Sequence, residues 1–241
     1  MRFSLPPGTG ALGVGLILVC SLGLSSRAGA QTAKSSGAAR GAFRILVEGK
    51  EIGREEYEIE HLANEIRARA RLVLDAGGQK VEETASLTLS PTYEPRSYEW
   101  KRERPAGQFL RVQFEGPKAS LEFSVGGSET EQREFLFENT EVTILDNNFF
   151  HHYLFLVRRY DFTRGGPQPL RIFIPQEALP ALVTLDNRPG EGAPTGTTEA
   201  KLRQLRLTTE DNEVWLWVDE NGELVRLTVP LAKVEVLRVQ P

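Results

Sequence analysis

The chain has 241 residues, 40% hydrophobic, 26% charged and 8% aromatic, a globular composition too polar for a multi-span membrane protein. With 33 acidic against 29 basic residues it carries no basic footprint for nucleic acid. Collagen, coiled coil and whole-chain disorder are excluded on the same grounds.

Residues 1–30 read as a signal peptide for export. Arg2 gives the charged start, Ala11 to Leu24 an apolar stretch of about 14 residues, and Ala28-Gly29-Ala30 a small-residue cleavage site. The stretch is shorter than the roughly 20 residues of a membrane-spanning helix, although an uncleaved anchor is the alternative. Cys20 is the one cysteine and lies inside it, so cleavage after Ala30 leaves no thiol for disulfides or catalysis. Ile17-Leu18-Val19 lack the small residues that lipid-attaching processing at Cys20 favours. The processed chain of about 211 residues carries 27 basic and 33 acidic side chains, a net charge of −6. The expectation is a periplasmic or extracellular protein with no transmembrane segment after signal cleavage. Residues 31–41, rich in Ala, Ser and Gly, read as a flexible leader, and 42–241 as a single domain.

From Phe43 onward the dominant period is two, the signature of half-buried strands. Glu56-Tyr57-Glu58-Ile59-Glu60 and Arg67-Ala68-Arg69-Ala70-Arg71 are the clearest instance. A two-residue loop at Ala63-Asn64 sets Glu60 opposite Arg67, Glu58 opposite Arg69 and Glu56 opposite Arg71. Tyr57 then faces Ala70 and Ile59 faces Ala68 on the other side, and a one-residue slip would destroy both sets. Turns at Gly49-Lys50, Gly77-Gly78, Pro105-Ala106-Gly107, Gly116-Pro117, Gly126-Gly127, Gly165-Gly166 and Asn221-Gly222 separate strand-length runs. The predicted fold is all-β: a curved antiparallel sheet or open β-barrel of about a dozen strands with one buried helix.

That helix is predicted over Asn147 to Tyr160, capped by Asp146 or Asn147 and too apolar to be anything but buried, against the concave side of the sheet. Val214-Trp215-Leu216-Trp217-Val218 is apolar on both faces and suits a covered central strand that turns at Asn221-Gly222. Arg188 to Thr198, rich in Gly and Pro, is the longest loop and is either a lid or slack.

Three stretches carry a resemblance. Phe43-Arg44-Ile45-Leu46-Val47-Glu48-Gly49-Lys50-Glu51-Ile52-Gly53-Arg54-Glu55-Glu56-Tyr57, Pro91-Thr92-Tyr93-Glu94-Pro95, and Ile144-Leu145-Asp146 leading into His152-Tyr153-Leu154 resemble uncharacterised secreted bacterial families of unknown function. Those families are similar to the periplasmic lipoprotein carriers of the Lol type, in which a curved antiparallel sheet wraps partly around a plugging helix. The resemblance implies that fold and raises lipid or apolar-ligand binding as a function; it transfers no catalytic residue.

The residues themselves offer few chemical sites. His151 and His152 are adjacent, with Asp146 upstream, but neighbours on a helix diverge by about 100° and no third ligand is visible, so no metal is expected. No G-x-S-x-G elbow occurs, and Gly126-Gly127-Ser128 reads as a turn. Glu55-Glu56 and Glu82-Glu83 point to opposite strand faces and read as solvated edges. No phosphate-binding glycine loop precedes a helix. Neither an enzyme nor a cofactor is expected.

The apolar inventory is richer. Leu110, Val112 and Phe114 share one strand face, Leu121, Phe123 and Val125 another, and Phe135 and Phe137 a third. Packed core explains them; so does a curved sheet that leaves an apolar groove for an acyl chain or hydrophobic peptide. The expected ligand-binding residues are Phe114, Leu121, Phe123, Val125, Phe135, Phe137, Phe150 and Trp215. The expected function is binding or carrying a lipid or other hydrophobic ligand in the cell envelope. The alternative is an interaction protein that docks an envelope partner through an exposed sheet edge.

Overall fold

The computed structural model describes residues 38–105, 107–125, 129–188, 202–209 and 212–239. The predicted signal segment with Cys20, most of the predicted leader, Gly126-Gly127-Ser128, the predicted loop residues beyond Arg188 and the side chain of Val125 lie outside the described residues.

The charge-striped hairpin sets the pattern. β2 (Lys50–His61) pairs β3 (Ile66–Ala76) with Glu60 opposite Arg67, Glu58 opposite Arg69, Glu56 opposite Arg71, Tyr57 opposite Ala70 and Ile59 opposite Ala68. The predicted register is therefore the observed one. The ion pairs are not those the register implies, because strands on either side compete for the same charges: Glu58 takes Arg40, and Arg71 takes Glu82. A two-residue turn links β3 to β4 (Gln79–Leu89); Gly77 and Gly78 both have positive φ (65° and 87°), which only glycine adopts cheaply.

The meander continues through β5 (Pro95–Arg104), β6 (Gln108–Glu115), β7 (Lys118–Val125) and β8 (Glu131–Leu136). Starting from β1 (Ala39–Val47), these strands form one wing. The other wing is β9 (Val142–Ile144), β10 (Gln168–Ile174), β11 (Leu179–Asn187), β12 (Arg203–Thr208), β13 (Glu213–Val218), β14 (Leu224–Val229) and β15 (Val234–Val239). β1 pairs with β15, so one 15-stranded sheet runs β8-β7-β6-β5-β4-β3-β2-β1-β15-β14-β13-β12-β11-β10-β9. The all-β, single-sheet reading holds, with more strands than the dozen expected.

Three features depart from expectation. Ala39, Arg40 and Gly41, read as leader, already pair with Ile59, Glu58 and Tyr57. β9 and β10 pair in parallel, because the chain between them crosses over through the helix. The helix α1 (His152–Arg158) is much shorter than predicted, since Asn148 takes a left-handed φ of 64° and keeps residues before His151 out of helical geometry.

The sheet is rolled around its own core. The outer strands β8 and β9 are consecutive in sequence, and Phe135 and Phe137 at the end of β8 reach Phe173 of β10, with centroids 4.9 and 5.6 Å away. No ladder joins β8 to β9, so the barrel stays open at this seam. α1 fills the interior, burying His152, Leu154, Phe155, Leu156 and Val157 in the cluster that also holds Phe43, Leu72, Leu87, Tyr98, Leu185 and Leu227.

Candidate functional site

The site begins with a carboxylate. The alternation that turns Glu56, Glu58 and Glu60 outward must turn Glu55, Tyr57 and Ile59 inward, and Glu55 is fully buried. Its two oxygens accept the Phe150 N–H (2.7 Å), the His151 N–H (3.2 Å) and the His151 Nδ1 (2.5 Å). This is a correction to the solvated-edge reading of Glu55-Glu56. Neither Asp146 nor Asn147 caps α1 as expected; the carboxylate from β2 instead holds the two amides that lead into it, those of Phe150 and His151. Glu83, of the other acidic neighbour pair, is likewise buried and accepts the Trp100 indole N–H (3.1 Å) and the Arg102 guanidinium (2.7 Å).

Asp146 holds the second anchor. Its carboxylate accepts the Tyr98 hydroxyl (2.6 Å) and the Gln176 N–H (3.0 Å), while its own N–H donates to His152 Nδ1 (3.1 Å). Burial pushes the Asp146 carboxyl up to about 6 against the pull of those donors. Burial, and then the neighbouring His151, holds the His152 imidazole well below its ordinary range. His152 therefore accepts at Nδ1 and carries its proton on Nε2, and the Nε2 atoms of both histidines are buried without partners. Among the described residues no three His, Cys, Asp or Glu side chains converge as metal ligands. Asp146, His151 and His152 are engaged as anchors of the helix.

A cleft of about 70 Å³ lies between α1 and the strands β1, β2 and β15. Tyr57, Ile59, Tyr93, Leu154 and Phe155 give it apolar walls, and Arg40, Arg158, Arg238 and Glu223 stand around it. Arg158 bonds Glu223 at 2.7 Å and Arg238 approaches the other Glu223 oxygen at 3.5 Å. Sequence reasoning missed this cleft, because its walls come from segments far apart in the chain. The available signal was the inward parity of Tyr57 and Ile59. A second, shallower groove of about 330 Å³ follows the open seam along Leu136, Phe137, Ile172, Ala181 and Leu182.

The residues expected to bind ligand divide into groups. Phe135 and Phe137 pack on Phe173, Phe114 stacks on Phe137, and Phe137 also faces the seam groove. Leu121 is buried in the core, and Phe123 is half-buried under the Arg133 guanidinium, 5.2 Å from its centroid. Phe150 stacks on Tyr153 at the entry to α1. Trp215 stands apart: Val214, Leu216 and Val218 face the core, which turns Trp215 to the opposite face of β13 under Arg206. None of these side chains lines the cleft beside α1.

Comparison of the chain with protein-family models, with curated proteins and with solved structures finds no match.

Proposed function

We propose that the protein is exported and binds or carries a hydrophobic ligand in the cell envelope, taken up at the cleft beside α1. The observation that carries this reading is the cleft itself, an apolar-walled recess at the junction of a short helix and the middle of the sheet. Enclosed binding sites are usually such recesses with a few convergent polar groups. At about 70 Å³ the recess takes in only one end of an amphiphile, so the rest of a longer ligand lies outside it or displaces α1. Pockets for drug-sized ligands run to roughly 300–1,000 Å³. Such a displacement would break the Glu55 contacts at the start of α1 and the exposed Arg158–Glu223 pair at its end.

Native mass spectrometry on the processed protein from a bacterial periplasm tests this. The expected result is a stoichiometric adduct of lipid mass, recoverable by organic extraction. A bare polypeptide mass, unchanged after incubation with a lipid extract, overturns the reading.

One observation favours a second reading, a docking function through the sheet edge. β8 is an outer strand whose residues are largely exposed, and Leu136 at its end is 82% exposed beside the seam groove. An extended segment of an envelope partner could add to that edge, although Glu131, Arg133 and Glu134 guard most of it. Its signature in the same spectrum is a second polypeptide of defined mass.

A further inference from the structure

We propose that the occupant of the cleft is an amphiphile with one anionic head, an alkyl carboxylate, its head between Tyr57 and Arg238 and its chain against Leu154 and Phe155. This rests on the ligand-binding reading above and names the ligand class of that same site.

The first observation is the Tyr57 hydroxyl. Tyr57 is 6% exposed and lines the cleft, yet its hydroxyl has no hydrogen-bond partner. Nearly all buried polar groups are satisfied, so this hydroxyl, buried behind the cleft wall against Gly41, is an unfilled donor that a ligand reaches only by a small turn of the ring. The fold makes room for it: a Cβ on Gly41, opposite Tyr57 in the β1–β2 ladder, would stand 2.3 Å from the hydroxyl oxygen. Burial raises the phenol above its ordinary range, so it is protonated at neutral pH and available as a donor.

The second observation is charge. Arg158 and Arg238 share a single carboxylate, Glu223, and only Arg158 holds it closely, at 2.7 Å against 3.5 Å. Arg238 is therefore the less committed partner, and its charge reaches the Tyr57 hydroxyl, as do those of Glu223 and Glu55. Arg40, the third arginine, is held by Glu58 at 2.8 Å. A donor hydroxyl beside an incompletely paired guanidinium is complementary to an anion and repels a cation. The third observation is the apolar lining of Ile59, Tyr93, Leu154 and Phe155, which accepts a hydrocarbon chain and not a second charge.

Calorimetry on the full processed chain at pH 8, with decanoate, decanol, decyltrimethylammonium and acetate as separate probes, decides the matter. Decanoate is expected to bind one to one, decanol at least about tenfold more weakly, and the ammonium and acetate not measurably. Arg238→Gln should bring decanoate down to the level of decanol and leave decanol unchanged. Tyr57→Phe should weaken both while leaving the thermal melt as it is, since the hydroxyl it removes has no partner in the fold.

Equal affinity for decanoate and decanol, or no effect of Arg238→Gln, overturns the anionic head while leaving the ligand-binding reading intact. Acetate binding as tightly as decanoate overturns the role of the chain. Failure of every amphiphile to bind overturns both the inference and the reading on which it rests.

Discussion

A buried carboxylate is costly unless its lone pairs are filled, and Glu55 fills them with two backbone amides and an imidazole. Asp146 also has donors, Tyr98 and Gln176 among them, but burial outweighs them and raises its carboxyl to about 6. The fold thus favours protonated Asp146, a contribution fully present below the ordinary carboxyl range and lost as pH rises through about 6. His152 has the opposite sign, being held neutral; its contribution is present above the ordinary imidazole range and lost as pH falls below it. Asp146→Asn keeps an acceptor for the Gln176 N–H and a donor for the Tyr98 oxygen but removes the charge. It should raise stability at pH 7 by on the order of 1–3 kcal/mol and leave it unchanged at pH 4, as measured by urea unfolding across that range. A difference that is the same at both pH values refutes this account. The inward position of Glu55 was legible in the sequence, because the outward parity of Glu56, Glu58 and Glu60 leaves it no other face. Its partner was not, since Glu55 and His151 are joined only by the crossover that brings α1 inside the sheet.

At the level of elements, the strands were legible wherever two faces differ in polarity, and the β2–β3 register is the plainest case. The helix was overextended because the aromatic residues from Phe149 to Tyr153 bury equally well in a turn, and periodicity over so short a run does not separate the two. The parallel β9–β10 pair was hidden because β9 is only 3 residues long. Elements are also where a local irregularity fixes the geometry. The β1–β2 ladder shifts register between Ile45 and Leu46, just where Gly53 faces Ile45. A Cβ on Gly53 would lie 2.4 Å from the Val73 carbonyl oxygen and 3.0 Å from the Leu74 Cα, both backbone atoms that cannot swing away. Gly53→Ala should therefore destabilise the protein by about 1–3 kcal/mol, a cost of overpacking rather than of lost conformational freedom. Urea unfolding with an unchanged m-value and a lowered midpoint is the expected signature, and an unchanged midpoint would show that β3 yields at no cost.

For the whole molecule the decisive contact is the one between the first strand and the last. β1 and β15 pair along Ala42 to Val47, with Phe43, Ile45 and Val236 buried in the common core. This closure lies beyond what alternation can reveal, since any strand with one apolar face could have sat beside β1. It makes the centre of the sheet depend on both ends of the domain, while the chain midpoint supplies the two outer strands that meet at the seam. Stability should follow that layout. β8 has a neighbour on one side only, is exposed along most of its length, and is held at its end by the Phe135 and Phe137 contacts with Phe173. Its amides should exchange by local opening at a small fraction of the global unfolding free energy. The amides of β1 and β15 should exchange only when the whole sheet unfolds, because freeing either one exposes the core of both wings at once. Native-state hydrogen exchange at increasing urea measures this directly: the β1 and β15 isotherms should merge with global unfolding from the lowest concentrations, and those of β8 should join them late. If β8 is as protected as β1, the seam is closed in solution more tightly than its side-chain contacts imply. An open edge for partner docking would then have no basis.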